Sequence, residues 1–317
     1  MVFSKKIAKM LEDPNSFRAE FLAMPEGPAR EKLVYEEAIR RGPPKNMVPV
    51  TKSFPDGTSI TYQVMPDVLS IDGLRVAMTA QTAQRIANAF GLNLPTSTQS
   101  KQIWEAAKVK ARAAPLSGSG YTHDGKHFSA QDVVSTQIGA SSANNEYSKK
   151  TDEELRKHNI TPDTLVAGHG KDIIQPLSNS DTMSIGGWQG TDNKALQPYS
   201  SPHGASTQSE YGTWARLVGP TVTVTKGGVT RTIPIAEALA DKDLYKLLSE
   251  QKGLKQYNTQ DKNKTPIVLK QKDTSTVTPI ATPAVPEYTP PPAKPGYSML
   301  LDRVSKFFTD MGSKLNF

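Results

Sequence analysis

The sequence contains no cysteine. This absence excludes disulfides, thiolate nucleophiles and zinc sites with sulfur ligands, and it leaves the redox compartment open. The chain also lacks the roughly 18 uninterrupted apolar residues of a membrane-spanning helix, and its basic start is not followed by the apolar core of a signal peptide. We therefore predict neither a signal peptide nor a transmembrane span.

Concentrated charge is missing as well. The net charge is +7, but lysine and arginine are spread along the chain and are not interleaved with aromatic residues, so no specific nucleic-acid partner is predicted. What the chain does have is 36% apolar residues and 24 prolines. This composition is enough for a globular core with irregular segments around it.

The patterning predicts an α+β fold in four parts. Residues 1–45 form a helical N-terminal arm, with helices over 3–12, 15–24 and 28–41. Residues 46–255 form a globular domain of short antiparallel strands with covering helices, residues 256–296 form a proline-rich linker, and residues 297–317 form an amphipathic tail helix. In the arm, a narrow apolar stripe looks suited to docking on a neighbouring molecule, and it consists of Leu33, Tyr35 and Ile39.

Within the domain, residues 48–76 alternate apolar and polar side chains around two Asp-Gly turns, which predicts strands and hairpins. One helix is predicted with Thr79 as its cap, and another is predicted over 96–113, with Val109 on its buried side. Weaker helix predictions fall on 129–138 and on a segment capped by Thr151. A hairpin over 212–235 and a single helix follow, and the helix directs four leucines inward, namely Leu239, Leu244, Leu247 and Leu248.

The tail helix places its apolar side chains on one face, which predicts partner binding. A protein groove is the favoured partner, and a membrane surface remains the alternative for residues 297–317. The residues of this face are Leu300, Leu301, Val304, Phe307, Phe308 and Met311.

The segment "LVAGHGKDIIQP" is the first candidate for chemistry. A phosphate-binding loop needs four residues between its two glycines, whereas Gly168 and Gly170 are one residue apart, so a nucleotide site is excluded. Glycines that flank a histidine between two apolar runs favour a strand, a turn and a strand, with His169 exposed or capping. A catalytic role for His169 is the less favoured interpretation.

The segment "HDGKH" is the candidate for metal binding. It spaces His123 and His127 four residues apart, but the glycine between them predicts a turn, and a third ligand would have to come from His169, Asp172 or His203. We therefore expect no cofactor, with zinc as the alternative.

Five stretches in order resemble a family of largely uncharacterised bacterial and phage-encoded proteins. They are "VMPDVLSIDG", "RVAMTAQTAQRIANAFGLNLPT", "LVAGHGKDIIQP", "IGGWQGTDNKALQPYSSPHG" and "EYGTWARLV". The resemblance implies a binding or catalytic cleft, and cell wall is the substrate that it suggests. It would be lined by His169, Lys171, Asp172, His203, Glu210, Tyr211 and Arg216.

Two departures from the family pattern concern its histidines. The family has histidine where this chain has Gln189 and where it has Thr213, so two imidazoles that could serve as base or ligand are missing. This loss and the apolar stripes of the arms favour a structural component of a large assembly, a phage virion, that is built on a cleft-bearing, hydrolase-like domain and has other subunits as partners. The first alternative function is a peptidoglycan hydrolase, and the second is a membrane-active ejection protein. The alternative location is the cytoplasm. The catalytic candidates of the hydrolase are His169, Asp172, His203, Glu210 and Tyr211.

Overall fold

The structure is a computed structural model. Its fold is built on two four-stranded sheets, each covered by helices. The structure describes residues 16–113, 116, 121–123, 126–128, 137–176, 181–190, 194–196, 201–207, 209–249, 254, 256 and 257. For residues 121–123, 126–128, 137–140 and 201–204 it describes the backbone. The predicted helix over 3–12, residues 258–296 of the predicted linker and the tail helix lie outside these residues. Tyr257, which was assigned to the linker, is buried in the core instead.

Sheet 1 is fully antiparallel, in the order β1-β2-β13-β14. Its strands are β1 (Val48–Ser53), β2 (Ser59–Val64), β13 (Val218–Lys226) and β14 (Val229–Pro234). Burial alternates along β1, β2 and the second half of β13, as expected when one face of a sheet covers a core and the other meets water. In the edge strand β14, Ile233 is buried and the other residues are exposed. The predicted hairpins are confirmed, with Gly227 and Gly228 in the turn between β13 and β14.

Sheet 2 is mixed, in the order β11-β10-β9-β12. It contains β9 (Lys171–Ile174), β10 (Thr182–Gly186), β11 (Ser201–Ala205) and β12 (Thr213–Trp214). The strands β9 and β12 are parallel, with Trp214 opposite Asp172, and all four residues of β9 are buried. This sheet therefore carries charged side chains into the interior.

Shorter strand pairs complete the β-structure. They are the hairpin β3 (Ser70–Ile71) with β4 (Leu74–Arg75), the parallel pair β5 (Val109–Lys110) with β8 (Val166–Ala167), and the hairpin β6 (Tyr121–His123) with β7 (Lys126–Phe128). The β3–β4 turn places Asp72 and Gly73 at positive φ, as the Asp-Gly pair predicts.

Two N-terminal helices pack on the domain. Helix α1 (Phe17–Ala23) is capped by the side chain of Ser16, and α2 (Pro28–Arg41) has proline in its first turn and ends at Gly42, with φ of 82°. Both were predicted. The described part of the predicted arm belongs to the domain core, however, because Phe17, Phe21, Val34 and Ala38 are buried there.

The stripe predicted to dock on a neighbour is mostly engaged within the chain. Leu33 and Tyr35 pack against the same core, and Arg85 lies 4.1 Å from the centre of the Tyr35 ring. Ile39 alone of the three is an exposed large apolar residue.

Helix α3 (Ala80–Ala89) begins at the predicted cap, Thr79, and α4 (Ser97–Ala106) begins after Pro95 as predicted, with Thr96 as its cap. The Thr96 hydroxyl and the Gln99 side chain cap each other's backbone N–H groups, which satisfies two otherwise unpaired donors. The prediction that α4 continues through Val109 is wrong, because Val109 is buried in β5 and bonded to the backbone of residue 165.

The long helix α5 (Gln137–Leu155) overlaps the end of the helix predicted over 129–138, of which residues 129–136 lie outside the described residues, and it corrects a second weaker prediction. Thr151 was expected to cap a new helix but lies inside α5, where its hydroxyl donates to the carbonyl of Tyr147. Small buried residues such as Ser141 and Asn144 let α5 approach the domain closely. Because the buried side of α5 is polar, hydrophobic periodicity did not reveal it.

The leucine-rich segment after β14 forms two short helices, α6 (Ile235–Ala240) and α7 (Tyr245–Leu248). The predicted single helix is wrong because the Asp241 carboxylate accepts from the N–H groups of residues 243 and 244 and interrupts it. Leu244 and Leu248 are buried, while Leu239 and Leu247 pack partly against the same core.

The helices divide the interior into two main apolar clusters. One holds side chains of α1, α2, α3 and sheet 2, and the other holds the inner face of sheet 1 with α4, α6 and α7. The predicted α+β fold class is confirmed. Among the described residues, no helix is long and apolar enough to cross a membrane.

Candidate functional site

The Gly-His-Gly segment connects β8 to β9 and passes between two tryptophan rings. A Cβ atom at Gly168, where φ is 97°, would collide with the Trp104 ring and the carbonyl oxygen of Ala111. A Cβ atom at Gly170 would lie 2.5 Å from Cε3 of Trp214. Glycine is required at both positions because the backbone lies directly against these groups.

His169 is buried, with 1% of its surface exposed. The prediction of an exposed or capping histidine is therefore wrong. Its Nε2 atom lies 2.9 Å from Oδ1 of Asp67, and the imidazole and Trp214 ring centres are 5.9 Å apart. Among the described residues, Nδ1 of His169 has no hydrogen-bond partner.

Asp67 connects His169 to a buried arginine. Its second oxygen accepts from Nε and Nη2 of Arg75, at 3.1 and 2.7 Å. Arg75 also donates through Nη1 to Asp152 of α5, at 2.5 Å. Burial alone would raise the pKa of Asp67, but His169 and Arg75 together hold it well below its ordinary value, because both stabilise the ionised carboxylate.

A second ion pair lies nearby, between Asp172 of β9 and Arg216. Nε of Arg216 lies 3.3 Å from Oδ2 of Asp172, and the remaining guanidinium nitrogens donate to the backbone carbonyls of residues 65, 66 and 166. Burial raises the pKa of Asp172 above its ordinary value although Arg216 and His169 oppose the shift. Here desolvation of the carboxylate outweighs its pairing.

We call these side chains the polar cluster. Asp67 and Asp172 share His169 and Arg216 as electrostatic neighbours, so the two ion pairs form one network. The members of the polar cluster are Asp67, Arg75, Asp152, His169, Asp172 and Arg216.

Lys171 follows His169 by two residues and lies among Trp188, Tyr211 and Glu210, a group that we call the lysine pocket. Its Nζ atom lies 4.6 Å from the Trp188 ring centre and 5.2 Å from the Tyr211 ring centre, both within cation–π range. It also pairs with Oε2 of Glu210 at 3.1 Å, and Glu210 is 46% exposed. Burial and the neighbouring Glu210 charge raise the pKa of Tyr211.

Tyr147 of α5 joins this lysine pocket to the polar cluster. Its hydroxyl donates to the carbonyl of His169 and accepts from Nε1 of Trp188 at 2.8 Å. Its ring lies 5.5 Å from Tyr211 and 5.3 Å from Trp214, centre to centre. One helix thus fixes both the backbone of His169 and the aromatic wall around Lys171.

The structure brings together most of the residues that the family resemblance implied. His169, Lys171, Asp172, Glu210, Tyr211 and Arg216 lie in the polar cluster or the lysine pocket. His203 belongs to β11, and its side chain lies outside what the structure describes.

The two histidines predicted to bind a metal lie in the β6–β7 hairpin. His123 is opposite Lys126 and His127 is opposite Thr122, so the two histidines are not cross-strand partners. Their side chains, like the apolar face predicted for the tail helix, lie outside the described residues. Among the residues that are described, no group of three or more His, Asp or Glu side chains could hold a metal ion.

Three central residues were not picked out from the sequence, namely Asp67, Arg75 and Tyr147. The first two had a usable signal, because Asp67 falls in "VMPDVLSIDG" and Arg75 opens "RVAMTAQ", both of which carry the resemblance. Tyr147 had no such signal, because the composition of its segment predicts a loop.

A groove of about 790 Å³ lies elsewhere, beside α6 and α7, and includes Asn93, Gln175 and Leu239. None of the polar-cluster residues lines this groove. The polar cluster and this groove are therefore separate features.

Comparison with protein-family models, with curated proteins and with solved structures found no match.

Proposed function

We propose that this chain is a non-enzymatic component of a larger protein assembly. The observation that carries the proposal is the burial of the groups that would have to react. His169 is 1% exposed and Asp172 is 4% exposed, and each has a charged partner. A general base must come within hydrogen-bond reach of the proton that it removes, whereas His169 is directed at Asp67 and Asp172 at Arg216, with almost none of their own surface open to solvent.

Support for an assembly partner comes from the sequence. A proline-rich segment followed by an amphipathic face of Leu300, Val304 and Phe307 suits a tethered helix that docks on another subunit. The family resemblance makes a phage virion the assembly that we propose.

The test combines an activity assay with an association assay on the full chain. We expect no clearing of a purified peptidoglycan suspension, no stoichiometric zinc, and co-purification with particle proteins that is lost when Leu300 and Phe307 are replaced by aspartate. Lysis of peptidoglycan that His203→Ala abolishes would overturn the proposal.

A peptidoglycan hydrolase is the second candidate, and one observation favours it. Asp67 holds Nε2 of His169 while Nδ1 has no hydrogen-bond partner among the described residues. A carboxylate that orients a histidine is a common arrangement for a general base. This candidate predicts that His169→Gln abolishes lysis while the unfolding free energy changes little, whereas a structural role predicts the reverse.

A further inference from the structure

The outer edge of β14 is open for backbone pairing. β14 is the last strand of sheet 1, and within the described part of the chain no other strand pairs with its free side. It forms six consecutive pairs with β13 without a bulge, and residues 229–232 are exposed. Proteins usually protect such an edge with a bulge, a lysine or a covering segment, because it can pair with another chain. An added strand therefore has access to β14.

The hairpin turn fixes which backbone groups point outward. The two glycines of the turn, residues 227–228, have φ of 56° and 79°, as in a two-residue type I′ hairpin. The residues that flank such a turn exchange both backbone hydrogen bonds, and so does every second residue after them. Val229 flanks the turn and bonds to β13. Thr230 and Thr232 occupy the alternate positions, so their N–H and C=O groups point to the open edge.

The linker contains a stretch that repeats the sequence of β13. Residues 274–278 read "TSTVT" and residues 221–225 of β13 read "TVTVT", so four of five positions are identical. Alternating threonine and valine is typical of a strand, and Asp273 and Pro279 bound the stretch as turn residues bound strands. We call residues 274–278 the β13-like segment. It carries the side-chain pattern that β14 already accepts from β13 on its other side.

The β13-like segment fits the open edge in the register that β13 uses. β13 sets Thr223 opposite Thr232, where the two hydroxyls lie 2.8 Å apart. Thr276 occupies the place of Thr223 in the segment, so an antiparallel strand in the same register sets Thr276 opposite Thr232 and Thr278 opposite Thr230. Both pairs bring outward-pointing backbone groups face to face. They can therefore form four backbone hydrogen bonds.

The other residues of the segment also suit this register. Val277 would lie opposite Arg231 and diagonal to Val229, which is 68% exposed, so two apolar side chains would cover each other in part. Pro279 would lie opposite Val229, at a position where the backbone nitrogen points away from β14. Its missing N–H group therefore costs no hydrogen bond in the added strand.

We propose that the β13-like segment of one copy of the chain adds as a fifth strand to β14 in a neighbouring copy. The inference rests on the proposed assembly role, which takes the tail and the linker before it to another subunit. Residues 258–273 can span about 55 Å when extended, which lets the segment reach that subunit. Because the open edge belongs to this chain, the recipient is another copy. Such head-to-tail contacts build rings or filaments.

The pairing is weak between free chains. Four backbone hydrogen bonds and one valine contact bury much less than the roughly 800 Å² per partner of a stable interface. Docking of the tail on the same neighbour raises the local concentration of the segment and strengthens the pairing. The test therefore has to capture a contact that is populated for part of the time.

Disulfide trapping captures such a contact, and the chain has no natural cysteine that would interfere. Thr232→Cys and Thr276→Cys are placed in separate full-length chains with different tags, which are mixed under mild oxidation. The proposed register sets their Cα atoms about 5.5 Å apart, a distance that a disulfide bridges. We expect a disulfide-linked dimer that carries both tags. Thr232→Cys mixed with Ser275→Cys is the matched control and should give little dimer, because residue 275 points to the opposite face.

A proline variant tests the backbone bonds directly. Thr278→Pro, added to the Thr276→Cys chain, removes the N–H group that would donate to Thr230. Losing this hydrogen bond should slow formation of the mixed disulfide by at least about fivefold. Thr259→Pro lies in the linker outside the β13-like segment, and as the matched control it should leave the rate unchanged.

Three results would overturn the proposal. They are no mixed disulfide, equal trapping at residues 275 and 276, and a disulfide confined to single chains when one chain carries both Thr232→Cys and Thr276→Cys. Co-purification with particle proteins that persists without the mixed disulfide would refute the added strand and leave the assembly role intact. A mixed disulfide without that co-purification would support the strand and refute the virion assignment.

Discussion

The two sheets use polar residues in opposite ways. Sheet 1 places threonine and serine on a face open to solvent, with its apolar residues beneath. Sheet 2 takes Lys171 and Asp172 into the interior, where their charged partners, Glu210 and Arg216, come from the segments on either side of β12. An exposed polar row needs only water, whereas a buried charge costs several kcal/mol unless it is paired. The candidate functional residues lie in and around sheet 2, where charges are buried.

The largest expected effect is on the polar cluster. Asp67→Asn leaves His169 without an ionised partner and weakens the pairing of Arg75, so the unfolding free energy at pH 7 should fall by about 2 to 3 kcal/mol. Because the folded-state pKa of Asp67 is lowered, its contribution is present above the ordinary carboxyl pKa and lost as the pH falls through the folded value.

Urea unfolding at several pH values measures this effect. The exposed Asp163→Asn is the matched control and should stay within about 0.5 kcal/mol of the wild type. A deficit for Asp67→Asn that does not shrink in acid would show that the lost interaction is not the ionised carboxylate.

The next largest effect concerns the backbone beside Trp214. Gly170→Ala should cost about 2 kcal/mol, because the new methyl group would lie 2.5 Å from the indole ring. Gly91→Ala provides the comparison, since Gly91 has φ of 64° but open space around it, and strain alone should cost about 1 kcal/mol. Thermal unfolding measures the loss of stability in both variants. Equal losses would mean that the Trp214 ring moves aside to make room for the methyl group.

Asp172 should behave differently from Asp67 although both belong to one cluster. Its folded-state pKa is raised by burial, so the stability it contributes is greatest below the unfolded pKa and is lost as the pH rises through the folded value. Asp172→Asn removes this penalty but also one partner of Arg216, and we expect a net change within about 1 kcal/mol at neutral pH. A loss as large as that of Asp67→Asn would contradict the assignment of burial as the dominant cause.

Sheet 1 could be predicted from the sequence because its alternation is local. The turns at 56–57 and 227–228 and the caps Thr79 and Thr96 are also local signals, and each appears in the structure. The strands β8 and β9 were predicted on either side of the Gly-His-Gly segment, but the strand pairing of sheet 2 and the helix α5 could not be predicted in this way, since β9 is buried on both faces and α5 packs through serine and asparagine. Their positions depend on partners distant in sequence.

The candidate site shows the same limit. The Gly-His-Gly pattern correctly indicated a break between β8 and β9, but local sequence cannot show that Asp67, 102 residues away, turns His169 inward. The two ion pairs arise only after the sheets, helices and connecting segments have assembled.

The most direct test of the account is a double-mutant cycle on Asp67 and His169, using Asp67→Asn, His169→Gln and the double variant in urea unfolding at pH 7. We predict a coupling free energy of about 1 to 2 kcal/mol, as expected if the pair stabilises the fold. Additive losses, together with cell-wall lysis that His169→Gln abolishes, would contradict the account and assign His169 to catalysis.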